Sequence, residues 1–121
     1  MPGEKIFNRL KEWGIDNYTV MDKKSIIEMN LGAAILATGG GGDPEIGLLW
    51  ALRALDEGKT IVMVDPMDIP DDIFVASPHA VGAPIVLTEK PPSYDVINKT
   101  IKKLENYIGK QLDAVIPFEC G

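Results

Sequence analysis

Four consecutive glycines, Gly39-Gly40-Gly41-Gly42, separate a run of small apolar residues from the pair Asp43-Pro44. No other feature constrains the fold of this chain as much. Glycine enters left-handed backbone conformations cheaply and loses the most entropy on ordering, so neither a helix nor a strand is expected to run through all four. Regular structure restarts at once. Asp43 is a good helix N-cap, and Pro44 at the first helical position gives up only an amide that would have no partner there. A helix is expected over 44–57. Ile46, Leu48, Leu49, Leu52 and Leu55, with Ala51 and Ala54 between them, form an apolar face wide enough for contact on more than one side, and Gly58 closes it.

The same reasoning extends in both directions. Ile6, Phe7, Leu10 and Trp13 share one helical face over 4–13, and Gly14 is placed to end that helix in a left-handed C′ conformation. The run Tyr18-Thr19-Val20 is β-like but too short to assign. Asp22 caps a helix from Lys23, and 32–37 continues it as a buried helical end, although periodicity alone also admits a strand there. Downstream, 61–64 is a β-branched run with little alternation, as in a strand covered on both faces. Residues 73–76 and 84–88 read as further strands, with Pro78 and Pro84 limiting how centrally either can sit. Ser93 caps a helix over 94–108, whose stripe is Tyr94, Ile97, Ile101, Leu104 and Ile108, and 112–118 reads as a buried strand.

This alternation gives an α/β fold over 1–121 as a single domain, best built as helices covering a mainly parallel or mixed sheet. The runs 61–64 and 115–118 are expected in one sheet, with the 94–108 helix packed on a face. In open α/β sheets, ligands sit beyond the carboxyl ends of strands. Glu119-Cys120-Gly121 occupies such a position, so the expectation is a chain cut at a functional loop.

Charge narrows the function classes. Residues 43–72 hold eight acidic and two basic side chains, which accounts for the whole net charge of −6. An acidic middle with no basic stripe argues against nucleic acid. No apolar run reaches the ~18 residues of a membrane span, and the N-terminus lacks the apolar core of a signal peptide, so a cytoplasmic protein is expected. The single cysteine, Cys120, excludes an internal disulfide.

The glycine run lacks the Lys and Ser/Thr of a P-loop and the spacing of a dinucleotide fingerprint, and Asp43 and Glu45 repel an anion at the following helix start. Two readings remain. The run is a hinge between helices, or its N–H groups approach a substrate closely, flanked by Thr38 and Asp43 as polar side chains. The Asp43-Pro44 cap fixes one end of the run and favours the second. His79 is the only histidine and is expected as an exposed loop residue; no nucleophile elbow accompanies it. Asp65, Asp68, Asp71 and Asp72 miss the calcium-loop spacing and read as turn and N-cap residues. One cysteine and one histidine make zinc a poor fit, so no metal site is expected, and no cofactor is indicated. Nothing in the sequence marks Cys120 as an activated nucleophile.

The segment from Leu31 through Thr38, the four glycines and Asp43-Pro44 resembles the signature of the S-methyl thiohydantoin desulfurase family, which travels with hydantoin-utilisation proteins. Val64-Asp65-Pro66, Pro70-Asp71-Asp72, Gly82-Ala83-Pro84, Glu89-Lys90 and Pro117-Phe118-Glu119 extend the resemblance over roughly 22–121. It implies a three-layer α/β/α N-terminal domain followed by a β-rich C-terminal domain, of which this chain matches only the first. It also implies hydrolytic loss of methanethiol from a small cyclic amide. Such chemistry needs a base for water and donors for charge on the ring. Asp43 or Glu119 is the candidate base, and Gly39, Gly40, Gly41 and Gly42, with Thr38, form the candidate substrate cradle. The rival readings are a non-catalytic ligand-binding or partner subunit, and an inactive fragment. A domain cut after a core strand exposes apolar area, so a separate C-terminal subunit or a homo-oligomer is expected.

Overall fold

In the computed structural model, residues 2–82, 84–90 and 93–120 are described. The elements are α1 (Pro2–Glu12), β1 (Tyr18–Val20), α2 (Lys23–Ala37), α3 (Pro44–Asp56), β2 (Val62–Val64), a 3₁₀ turn (Pro66–Asp68), β3 (Val75–Ala76), α4 (Pro84–Glu89), α5 (Val96–Ile108) and β4 (Ala114–Val115). Helix far outweighs strand, at 51% against 9%, so the class is mixed α/β with small sheets. Contacts group the chain into two compact units: Met1–Gly32 with Glu45–Asp72, and Ala33–Pro44 with Ile73–Gly121.

Among the described residues the buried side chains lie in the first unit, and local chemistry explains its corners. Gly14 has φ +69. Its N–H donates to Lys11 O at 3.1 Å, and the Ile15 N–H donates to Leu10 O at 2.9 Å. These are the paired bonds of a Schellman C-cap, which brings Ile15 over Leu10; both are 4% exposed. Gly58 ends α3 with the same bond pattern. At the start of α2, the Ser25 N–H donates to the Asp22 carboxylate at 2.7 Å. Met21 and Ile26 then occupy the two positions that a hydrophobic staple joins, and both are buried. β1 and β2 pair antiparallel, Tyr18 opposite Val64 and Val20 opposite Val62.

The second unit contains α4, α5 and the parallel pair β3–β4, with Val75 opposite Ala114 and Ala76 opposite Val115. Ile97, Ile101 and Leu104 of α5 are half-buried while Lys99, Lys102 and Lys103 are exposed, as the stripe requires, but Ile108 at its end is exposed and Tyr94 precedes the helix. Gly109 caps α5 in the left-handed region, its N–H donating to Glu105 O at 2.8 Å.

Several expectations need correction. The 61–64 and 115–118 runs belong to different two-stranded sheets, and Met63, Val115 and Phe118 are exposed rather than covered. Residues 84–88, read as a strand, lie in helix α4: Pro84 opens it at a position where proline's fixed φ suits a helix, and this local start overrides the β-branched composition. The end of α2 is helical as expected, but not buried: Leu31, Ile35 and Leu36 are 64%, 68% and 73% exposed. Helix α5 starts two residues later than the Ser93 cap implies, because the Ser93 hydroxyl bonds the Asp95 carboxylate instead of a helix amide.

Among the described residues, three carboxylates titrate below their ordinary range. Asp22 is held down by the N–H and hydroxyl of Ser25, Glu57 by Lys59 and Arg53, and Asp95 by Lys99 and Ser93. Each therefore binds its proton less readily in the folded chain than in the unfolded one. The stability they add is complete above the unfolded value of ~4 and is lost as pH falls through the lower folded values. Urea midpoints are expected to drop below about pH 4, and Asp22→Asn with Glu57→Gln to flatten that drop. An unchanged acid limb in the double variant would show that other carboxyls set it.

Candidate functional site

Because β3 and β4 are parallel, their carboxyl ends lie side by side. Ser77-Pro78-His79 leaves one and Ile116-Pro117-Phe118-Glu119 leaves the other. The pairing is fastened on both sides: the Ile116 N–H donates to Ala76 O at 3.0 Å, and the Asp113 N–H to Phe74 O at 2.9 Å. The Phe74 N–H returns a bond to the Asp113 carboxylate at 2.9 Å.

Above this end the His79 ring stacks on Phe118, with centroids 5.1 Å apart and planes 19° from parallel. His79 Nδ1 lies 2.8 Å from the Ser77 carbonyl oxygen. A cavity of about 210 Å³ opens beside it, lined by residues 76–79 at the exit of β3 and by Thr100, Ile101 and Leu104 of α5. Ser77 Oγ is buried and has no hydrogen-bond partner.

The glycine loop belongs to the same unit. Thr38 has φ +51, Gly39 +87, Gly41 +75 and Gly42 +121, and the Gly40 N–H donates to Ala37 O at 2.9 Å. A β-branched residue in the left-handed region stores strain of roughly 1–3 kcal/mol, which surrounding structure must hold in place. At Gly39 an added Cβ would meet nothing within 4 Å, so its backbone angle, not crowding, calls for glycine there. Asp43 stands half-buried at the entry to α3, and Glu119 and Cys120 are exposed. Asp65 accepts from the Met67 N–H at 2.9 Å as the cap of the 3₁₀ turn. Among the described residues no group of three or more His, Cys, Asp and Glu is placed to hold a metal ion.

The residue whose ring meets the Phe118-Glu119 segment is His79. Sequence reasoning expected it as an exposed loop residue, and it is exposed, yet it has two partners. The missed signal is its place three residues after β3: the carboxyl-end rule that drew attention to Glu119 applies equally to His79.

The model of the family described as S-Me-THD-like, N-terminal domain, matches residues 24–121. The chain belongs to the S-Me-THD-like family. The match contains the glycine loop, Asp43, the exits of β3 and β4, and Glu119, while α1 and β1 precede it. No curated protein and no solved structure matches the chain. No helix among the described residues is long and apolar enough to cross a membrane.

Proposed function

We propose that this chain is the N-terminal domain of a cytoplasmic enzyme that hydrolyses a small cyclic imide or thiohydantoin, as the S-methyl thiohydantoin desulfurase resemblance implies. Water attacks the ring carbon bearing the S-methyl group, a carbon–oxygen bond forms, the carbon–sulfur bond breaks, and methanethiol leaves with a proton. Asp43 or Glu119 takes the proton from water, and the amides of Gly39–Gly42 face the charge that builds on the ring. The observation that carries this reading is the glycine loop: three left-handed glycines beside a strained Thr38, inside the family match, suit a specified cradle better than a free hinge.

Gly40 makes the discriminating variant. It lacks the positive φ of Gly39, Gly41 and Gly42, and a Cβ there would sit 3.5 Å from Ala37 O, an ordinary contact. Gly40→Ala is expected to leave the melting temperature within a few degrees, yet to lower desulfurase turnover at least about tenfold by crowding the substrate. Unchanged turnover decides for a hinge. Gly41→Ala is uninformative, because φ +75 strains alanine whatever the loop does.

A second reading, a partner subunit, is favoured by the exposed apolar end of α2. The three-layer α/β/α arrangement belongs to the same proposal: a C-terminal domain, a separate C-terminal subunit or a second copy of the chain would cover the exposed apolar side chains Ile35, Val115 and Ile116 of the second unit. Turnover is to be assayed with the chain alone and with the family's C-terminal domain supplied in trans. Methanethiol release only from the mixture supports an incomplete enzyme, and none from either leaves the partner reading.

A further inference from the structure

The β1–β2 ribbon of the first unit carries no strand beyond either edge, and its two edges differ in chemistry. The register decides which backbone groups point outward. The Met21 N–H donates to Ile61 O at 2.9 Å, so Met21–Ile61 and, two residues along, Thr19–Met63 are the hydrogen-bonded pairs of the ladder. The N–H and C=O groups of Val62 and Val64 therefore turn away from β1, with Thr60 next in the same alternation, and those of Tyr18 and Val20 turn away from β2. Among the described residues no hydrogen bond reaches these outward groups. Helix α1 takes one face of the ribbon: the Phe7 ring lies 6.0 Å from Tyr18, and a Cβ added at Gly3 would meet the Thr60 hydroxyl at 3.0 Å.

An unpaired edge is a template for another strand, and native chains guard it with charge or proline. The β1 edge is guarded. Asp16 precedes it and Asp22 follows it, so self-pairing about Thr19 would set Asp16 of one copy against Asp22 of the next. The β2 edge is not: Val62, Met63 and Val64 carry no charge, and the exposed flanking residues, Lys59 and Asp65, are opposite in sign. We infer that β2 pairs antiparallel with β2 of a second copy, about a two-fold axis at Val62. In that register Val62 meets Val62, and Thr60 meets Val64, so the outward N–H and C=O groups exchange bonds. Ile61 lies opposite Met63, which is 47% exposed in the single chain. Lys59 lies opposite Asp65 at both ends. Lys59 Nζ also holds Glu57 Oε2 at 2.7 Å, but an ammonium has more than one donor. Asp65 accepts from the Met67 N–H through Oδ1, and its other oxygen faces the lysine. The pairing needs neither the glycine loop nor the proposed chemistry, and stands whether or not that reading does.

Sedimentation of the full chain in reductant, up to about 1 mM, is expected to show a monomer–dimer equilibrium. A monomer throughout overturns the inference. Lys59→Glu sets like charges opposite each other at both ends of the paired strands, and so does Asp65→Lys. Each variant alone is expected to weaken dimerisation at least about tenfold. Mixing the two brings opposite charges together again, so the mixture is expected to dimerise about as tightly as the unmodified chain. A dimer that either variant leaves unchanged is built on another face, and a mixture that stays monomeric excludes this register; either result overturns the inference. Asp65→Asn keeps an acceptor for the Met67 N–H, so it tests the charge without the cap, and is expected to weaken dimerisation about threefold. Hydrogen exchange reads the edge directly. The Val62 and Val64 amides are expected to slow as the chain concentration rises through dimerisation, while those of Tyr18 and Val20 do not. Protection appearing at Tyr18 and Val20 instead assigns the contact to the β1 edge and overturns the inference.

Discussion

Ile26→Ala is expected to lose about 2–5 kcal/mol of stability, a large part of what a domain of this size has. Ile26 is 2% exposed and is the largest fully buried side chain among the described residues. It sits at the fourth position of α2, its N–H bonded to Asp22 O at 3.0 Å, and shares the core of the first unit with Leu10, Ile15 and Met21. With so few buried side chains, little neighbouring mass can collapse into the space left. The urea midpoint at pH 7 reads the effect. Ile35→Ala, on the exposed part of the same helix, is the control and should stay within about 0.5 kcal/mol. Equal losses at both positions would mean that Ile35 is covered in solution.

The largest kinetic effect is expected at the base. If the proposed function holds, then with the family's C-terminal domain supplied in trans Glu119→Gln or Asp43→Asn should lower kcat about 10²–10⁴-fold, whichever residue activates water. Glu119 is exposed, so its variant should fold normally. The true base should also remove the acidic limb of the pH–rate profile, because that limb reports the carboxylate being protonated. If both variants keep full kcat, the proton goes elsewhere and both assigned roles fall.

What sequence made legible was mostly local. Asp22, Gly14, Gly58 and Asp65 act where expected because a cap is decided by residues within one turn. The family was legible too, since its motifs keep their order along the chain. Sheet membership was not. The runs 61–64 and 112–118 look equally buried on paper, but partners far away in sequence decide which sheet each joins and what covers it. The exposed end of α2 failed for the same reason: an apolar run announces that something should cover it, not that anything within 121 residues does. At the site, the glycines and Glu119 could be picked out one by one. The His79–Phe118 stack, joining residues 39 apart, had no local signature.

The exposed Cys120 has a practical bearing on all of these measurements. It is the only thiol, and it lies two residues beyond the Phe118 ring that stacks on His79. Air oxidation can join two chains through it, so a covalent pair in unreduced samples would imitate self-association; sedimentation belongs in reductant or on Cys120→Ser. The same thiol offers a labelling point that needs no engineering. A maleimide fluorophore attached there would report, by a change in emission, on association of this end of the chain with a partner.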